Sequence, residues 1–410
     1  MKNKLFVFQL VLGILFCSSL LAQENQSKAA YPLDKPVFQV DTPFPTSDKP
    51  QSKLWYMKGY WWAILPKSSG PSLWQRKTKG WIEYTDIGTE LKGVPGHVDI
   101  WANKKEVTVV GVDKHFLKVF RLKKKARLKT KWKAQILTTL LPPSENNEIE
   151  TATIVQDENG RWWVAADAGG KICVWSSVTE KGKQWSKPYV IADGLDTDDI
   201  CSITIIPGGV GVIWSDQVQE AVNFRIHKDD QPIETWEEVV TIEAGNKTAD
   251  DHINAALSSN GTLWIATKNS VDMLGKPQQV LRVRSRTGQW SNFPYAILEP
   301  FKDPSRPIVI ATENPKIVLA GHTIYNTKNR NLGEIVFGLV DTTQLYLLRD
   351  LVPVIKPDTT GWMDDNRIND VTGPKKPFSM KVPWIVLASD NEGRIYEADL
   401  KSIFLPKIKN

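Results

Sequence analysis

INAALSSN (253–260), TLWIATK (262–268), QQVLRVRSR (278–286) and GQWSNFPYAI (288–297) are four consecutive short runs rich in β-branched and aromatic residues. Gly261 and the pair Thr287–Gly288 punctuate them as turns, and QQVLRVRSR alternates apolar with polar as a half-buried strand does. The stretch therefore reads as four antiparallel strands joined by tight turns. It also recurs. Trp81, Trp132, Trp185, Trp236 and Trp290 stand in KGW, TKW, KQW, ETW and GQW, spaced 51 to 54 residues apart, and Leu345–Tyr346 in TTQLY continue the beat.

A fixed period near 50 with strand content is the signature of a ring of similar sheets. The second runs of the copies read YWWAIL (60–65), EVTVVGV (106–112), RWWVAAD (161–167), GVIWSD (211–216), TLWIATK, KIVLAGH (316–322) and PWIVLAS (383–389), which makes seven. Only six copies carry the closing marker, because the chain ends soon after RIYEADL (394–400). PVFQVD (36–41) lies about one period before Trp81 and is read as the missing outer strand. The expected fold is an all-β, seven-bladed β-propeller of four-stranded antiparallel blades, its ring closed by an N-terminal strand that leaves no sheet edge unpaired. Residues 23–52 form an N-terminal segment containing that strand, and 53–410 form the propeller. The tryptophans on the beat are assigned to packing between blades. Trp101, Trp175 and Trp362, off the beat, are the ones open to stacking on sugar, although packing is favoured for them as well.

Residues 1–22 have Lys2 and Lys4, an apolar stretch from Leu5 to Phe16 and a small residue at Ala22, the pattern of a secretory signal. Release after Ala22 is favoured over lipid anchoring at Cys17, because bulky Phe16 precedes that cysteine. Export to the periplasm or medium follows, with no integral membrane segment after the signal is removed. Cys173 and Cys201 then remain, too few for a disulfide framework. The chain has 52 Lys and Arg against 46 Asp and Glu, a formal charge of +6, and loss of Lys2 and Lys4 leaves +4. So mild a balance does not demand an anionic partner, and no nucleic-acid motif is present. One segment is denser: FLKVFRLKKKARLKTKWK (116–133) holds nine basic residues and no acid. It reads as a solvated hairpin of blade two, with contact to an acidic polymer as the sharper alternative.

In such a ring, the links entering first strands and the loops leaving second strands share one face, where function collects on a rigid scaffold. His97 precedes a first strand, His115 follows a second, His252 opens HINAAL and His322 ends KIVLAGH; only His227 falls elsewhere. Asp99, Asp199, Asp216, Asp250, Asp251, Lys268, Arg306, Arg367 and Asp370 occupy the same kinds of position. Imidazoles, carboxylates and fixed cations together suit a polar, anionic ligand or general acid–base chemistry. The competing role for each residue is to bond turn amides. No cofactor is expected. Calcium in the acidic DTDD run (196–199) is a minor alternative, since its spacing matches no familiar loop.

SDNEGRIY (389–396) fits the sialidase-type Asp-box pattern with Asn391 in the Asp place and Tyr396 in the Trp place; QDENGRWW (156–163) fits more loosely. GVIWSDQ (211–217), ADDHINAALSSNGTLWIATKNS (249–270), VLRVRSRTGQW (280–290) and SRPIVI (305–310) resemble secreted bacterial β-propellers related to BNR-repeat proteins. More distantly, His97 and His115 look like the paired histidines of seven-bladed polysaccharide lyases such as ulvan lyases. That resemblance implies proton removal from a uronic acid by His97 or His115, with Lys268 or Arg306 holding the carboxylate. The residues after His97 depart from the pattern, and no catalytic Tyr can be placed.

The expectation is thus an exported monomer acting on polysaccharide, an acidic one favoured. His97, His115 and His252 are the candidate catalytic residues, and Asp251, Lys268, Arg306, His322 and Arg367 the candidate substrate-binding ones. A lyase is the leading enzyme class and a glycoside hydrolase, needing two suitably spaced carboxylates, the next. A non-catalytic module binding glycan or protein on the same face is the rival reading.

Overall fold

Turn chemistry decides where each strand stops. At Lys58 and Gly59 the backbone takes φ of 52° and 85°, the two-residue hairpin that matches strand twist, and it joins Leu54–Met57 to Tyr60–Lys67. The computed structural model describes residues 34–47, 49–124, 131–326, 333–356, 368 and 370–405. Within them lie seven four-stranded antiparallel sheets, arranged as the blades of a β-propeller. Their first strands, innermost in the ring, are Leu54–Met57, Val98–Ala102, Ala152–Gln156, Cys201–Ile206, Ile253–Leu257, Lys302–Ala311 and Val371–Thr372.

Blade seven is completed by Phe38–Gln39, where Phe38 pairs with Ile395 and Gln39 with Arg394. The stretch that begins at Asp34 belongs to the same compact unit as the ring. The N-terminal segment is thus the outer strand of the last blade and the link into the first. Phe38 stacks on Trp74 of blade one with ring centroids 4.3 Å apart, so the closing strand also joins two blades. Phe38→Ala should lower unfolding stability by about 2 kcal/mol, less than a fully buried Phe would cost, since the ring is only partly covered. An unchanged urea midpoint would show that closure does not depend on this contact.

The tryptophan beat has a packing cause. Trp132 of blade two meets Trp62 of blade one edge-on at 4.9 Å, Trp236 of blade four meets Trp163 of blade three at 6.0 Å, and Trp290 of blade five meets Phe224 of blade four at 5.2 Å. Trp81 of blade one donates its indole N–H to Glu397 of blade seven at 2.7 Å. These four outer tryptophans lean on the preceding blade, while Trp185 donates its indole N–H to Gly182 of its own blade at 2.8 Å. Off the beat, Trp175 is fully buried and Trp101 lies under the Lys376 ammonium, while Trp362 is outside the described residues.

Towards the axis the side chains are polar and latch one inner strand to the next. Asp99 accepts from the amides of Ser52 and Ile154, both at 2.7 Å, and Thr153 accepts from Ile203 at 2.8 Å. Asn254 accepts from Val309 at 3.1 Å, and Thr372 from Lys53 at 3.0 Å. These bonds satisfy inner-strand amides that have no strand neighbour on the axial side.

Two expectations need adjustment, the end of one strand and the residue that holds the Asp-box turn. The second strand of blade six does not end at His322 but runs Val318–Asn326, because blade six's first strand extends back to Lys302 and pairs with it past a bulge between Ser305 and Ile308. In the Asp-box turn it is Asp390, not Asn391, that holds the chain: it accepts from the amides of Glu392 and Arg394 and from the Tyr396 hydroxyl at 3.1 Å. Cys173 and Cys201 are both buried free thiols, and burial pushes Cys173 up to about 12. Among the described residues no helix is long and apolar enough to cross a membrane. Residues 1–22, read as a secretory signal, lie outside the described residues.

Candidate functional site

The residues just before the first strands form the entry mouth of the ring. Asp250, Asp251 and His252 stand there ahead of blade five. His252 Nδ1 lies against the carboxylates of both aspartates, 2.5 Å from Asp251 Oδ1. Its Nε2 faces the Arg306 guanidinium and lies 3.4 Å from Ser305 Oγ. Arg306 occupies the blade-six bulge at φ 52°, a left-handed conformation costly for a residue with a Cβ, and the bulge turns its side chain to the mouth. Its Nε is 3.3 Å from Asp370 Oδ1, at the entrance to blade seven.

Further groups complete the cluster. Lys268, at the end of blade five's second strand, donates to Asp250 Oδ2 at 3.0 Å, and Ser270 donates to the same oxygen at 2.9 Å. Lys49, on the link from blade seven to blade one, reaches Asp251 and also Glu150 Oε1 at 2.9 Å. One ammonium thus ties the entrances of blades three and five. Burial opposes its charge, but Asp251 and Glu150 outweigh it and hold Lys49 above the ordinary lysine value.

Two carboxyls at this mouth are driven apart. Burial pushes Asp251 up, yet its bonds to His252 and Asp250 and the Lys49 charge overcome that and hold it far below the usual carboxylate range. Asp198, on the rim, is raised by partial burial and then by the charges of Asp251, Glu150 and Asp250, against which Lys49 pulls the other way. Oxygens of Glu150, Asp198 and Asp251 lie within 4.8 Å of one another. One site therefore holds a carboxyl raised above its ordinary value beside one held far below it.

Of the residues singled out from sequence, the fold brings together His252, Asp251, Lys268 and Arg306, with Asp250 and Asp370. His97 and His115 are exposed and flank the first two strands of blade two. His322, expected to touch substrate, is closed to solvent at 1% exposure beside Tyr295, because its strand continues past it. Arg367 lies outside the described residues. Asp199 and Asp216 serve turns: Asp199 accepts from the amides of Asp196 and Gln217, and Asp216 from Gln219. In the DTDD run the Asp196 and Asp199 carboxylates are thus engaged by turn amides, and only Asp198 joins other acids, with the Lys49 ammonium between two of them. Sequence reasoning missed Lys49, Glu150 and Tyr325, the last coupled electrostatically to Arg306. It met Asp198 only as part of the calcium run. Glu150 and Asp198 stand two and three residues before first strands, so the rule that picked out Asp99 and Asp250 reaches them too.

No protein-family model matches the chain and no curated protein does, so the BNR-repeat resemblance stands on its motifs alone. Among solved structures the chain is similar to an α-L-arabinanase of Penicillium chrysogenum complexed with arabinobiose, at 12% identity over 77% of this chain and 100% of that one, TM-score 0.46. It is similar to the polysaccharide lyase Uly1 at 11% identity, covering 86% of this chain and 90% of that one, TM-score 0.46. A protein from Lactobacillus plantarum shares 14% identity over 76% of this chain and 87% of its own, TM-score 0.48.

Proposed function

We propose that this is an exported propeller that hydrolyses glycosidic bonds of a polysaccharide at its entry mouth, with Asp198 as proton donor and Asp251 as its ionised partner. The observation that carries the reading is the trio Glu150, Asp198 and Asp251 within 4.8 Å, with Asp198 raised and Asp251 lowered. Asp198 gives its proton to the departing glycosidic oxygen while Asp251 faces the positive charge that develops on the sugar ring. Water then supplies a hydroxyl to the anomeric carbon and returns a proton to Asp198. His252, pressed on both aspartates, positions Asp251 rather than meeting the sugar, since it is only 4% exposed.

The charge of the mouth narrows the substrate. Among the described residues, carboxylates of Glu150, Asp198, Asp250, Asp251 and Asp370 outnumber the cations Lys49, Lys268 and Arg306. A neutral chain is the better match there, in place of the acidic one expected from sequence.

The test is release of reducing ends from a panel of neutral and acidic polysaccharides. Asp198→Asn should lower the rate about a hundredfold or more, in the range of a lost general acid. Because Asp198 is exposed, its urea midpoint should barely move. Activity of the parent should fall as pH rises through the raised Asp198 value, where the donor loses its proton. Failure to release ends from any glycan, or an Asp198→Asn protein as fast as the parent, would refute the assignment.

One observation favours a second reading, β-elimination: Arg306, next to His252 and Tyr325, pairs a cation for a uronate carboxylate with two groups able to move a proton. That route would yield an unsaturated, ultraviolet-absorbing end on acidic chains only, and the same digests distinguish the two.

A further inference from the structure

The opposite, far mouth of the ring has the reverse electrostatic character. There the first-to-second and third-to-fourth strand turns emerge, and the 373–384 connection of blade seven reaches out to blades one, two, three and six. Lys375 from this connection turns inward to Asp99. Lys376 lies over the Trp101 ring, 3.9 Å from its centroid, and donates to the Ala102 carbonyl at 3.0 Å. Burial, then the adjacent Lys375, lowers its pKa to about 8, so this ammonium lacks a compensating carboxylate.

The connection separates two cavities. One, of about 780 Å³, is walled by Trp55, Tyr56, Lys58, Asn103, Lys104 and Lys376, with Glu313 as its acid. The other, of about 410 Å³, is walled by Trp101, Thr204, Asn260, Arg286 and Lys376, with Glu158. Beyond Lys58 the cations continue. Lys124 sits over the Trp62 ring at 4.5 Å and Lys77 over Tyr60 at 4.4 Å. Lys124 is lowered by burial and then by repulsion from Lys58 and Lys77. Among the described residues none of Lys58, Lys77, Lys104 and Lys124 pairs with a carboxylate. At the entry mouth, by contrast, Lys49, Lys268 and Arg306 are all paired. Like charges collected without counter-charges are unfavourable until an anion arrives.

We propose that the far mouth binds an anionic polysaccharide chain, seated in the cavity beside Lys58, Lys104 and Lys376 and running outward over Lys77 and Lys124. The carboxylates or sulfates of the chain would meet the ammonium groups, while its sugar faces would lie along the exposed parts of Tyr56 and Tyr60. The concavity selects the occupant. A bilayer or a nucleic-acid duplex is too broad to enter a pit divided by a crossing strap, whereas a single glycan strand can. The site is distinct from the proposed catalytic mouth and does not depend on it: one end would hold the protein to an acidic matrix while the other works on a neutral chain.

The experiment is titration calorimetry of the full chain with polygalacturonate, dextran sulfate and unmodified dextran, repeated with duplex DNA and with phosphatidylglycerol vesicles. The two anionic glycans distinguish carboxylate from sulfate recognition; either should bind, with affinity falling as salt rises, and neutral dextran should not. Lys58→Gln combined with Lys104→Gln, both exposed turn residues whose loss leaves the fold intact, should weaken binding at least about tenfold if two charge contacts are lost. Lys376→Met keeps the contact with Trp101 and should weaken it as well. Asp198→Asn should bind as the parent does, which keeps this test independent of the fate of the hydrolase reading. Absence of binding to both anionic glycans, affinity unchanged in both lysine variants, or DNA or vesicles binding as tightly as the glycans would overturn the proposal.

Discussion

Asp99→Ala should cost about 3–5 kcal/mol of unfolding stability, the range for removing one partner of a buried ion pair. Asp99 is wholly buried at the axis, and each of its oxygens is committed. Oδ1 accepts from the Ser52 amide and Oδ2 from the Ile154 amide, so blades one, two and three meet on one carboxylate. The Lys375 ammonium joins it from the strap of blade seven and also donates to the Ile154 carbonyl at 3.3 Å. Removing the carboxylate leaves a buried cation and two inner amides without their acceptor. The companion change separates charge from architecture. Lys375→Met in the Asp99→Ala background removes the stranded ammonium and should recover part of the loss, whereas additive losses would show that the two residues act independently. Urea unfolding of the three variants and the parent measures this. A single Asp99→Ala loss below about 1 kcal/mol would mean that the axial latches contribute little to ring closure.

Much of the ring was legible because its physical cause repeats. An outer tryptophan that leans on the blade before it meets the same need in each blade, so Trp81, Trp132, Trp236 and Trp290 recur with the blade length. The closing strand was legible as an absence, since a ring with six closing markers needs a seventh strand and only PVFQVD lies one period upstream. Blade six was harder. Its bulge between Ser305 and Ile308 moves the register by the pairing of two strands, and neither run by itself records which residue the other leaves unpaired. That one irregularity moved His322 from a strand end into the interior and aimed Arg306 at the mouth.

The site was legible in part and for a narrower reason. Position relative to a strand entrance identified Asp250, Asp251, His252 and Arg306, because strand entrances converge in any closed ring. It gave no weight to Lys49, which belongs to a link without periodicity and whose reach to Glu150 and Asp251 exists only once blade seven is closed. The histidines it singled out are divided by the fold. His97 and His115 satisfy the positional rule and are exposed on blade two, whereas His252 lies among the carboxylates of the mouth. The contrast between the mouths was the least legible property, because a formal +6 for the whole chain does not record that Lys49, Lys268 and Arg306 are paired with carboxylates.

His322 should make the protein acid-sensitive. Its ring is buried beside Tyr295, with Nδ1 lacking a partner among the described residues, and burial lowers its pKa to about 3. In the unfolded chain an imidazole titrates near 6.5. The folded state thus holds His322 neutral where the unfolded state binds a proton, so stability is complete above about pH 6.5 and declines as pH falls from there towards 3. At about 1.4 kcal/mol per pH unit below 6.5, the contribution lost between pH 7.5 and pH 4.5 is about 3 kcal/mol. His322→Leu removes the titration and fills the same buried space. Its urea midpoint at pH 4.5 should therefore lie closer to its midpoint at pH 7.5 than the parent's does, with His322→Gln as a second variant if leucine packs badly. Carboxylates titrate in both parent and variant, so the difference of differences isolates the imidazole. An equal acid loss in parent and variants would mean that His322 finds a proton acceptor in the folded interior, and that its burial is not what governs its charge.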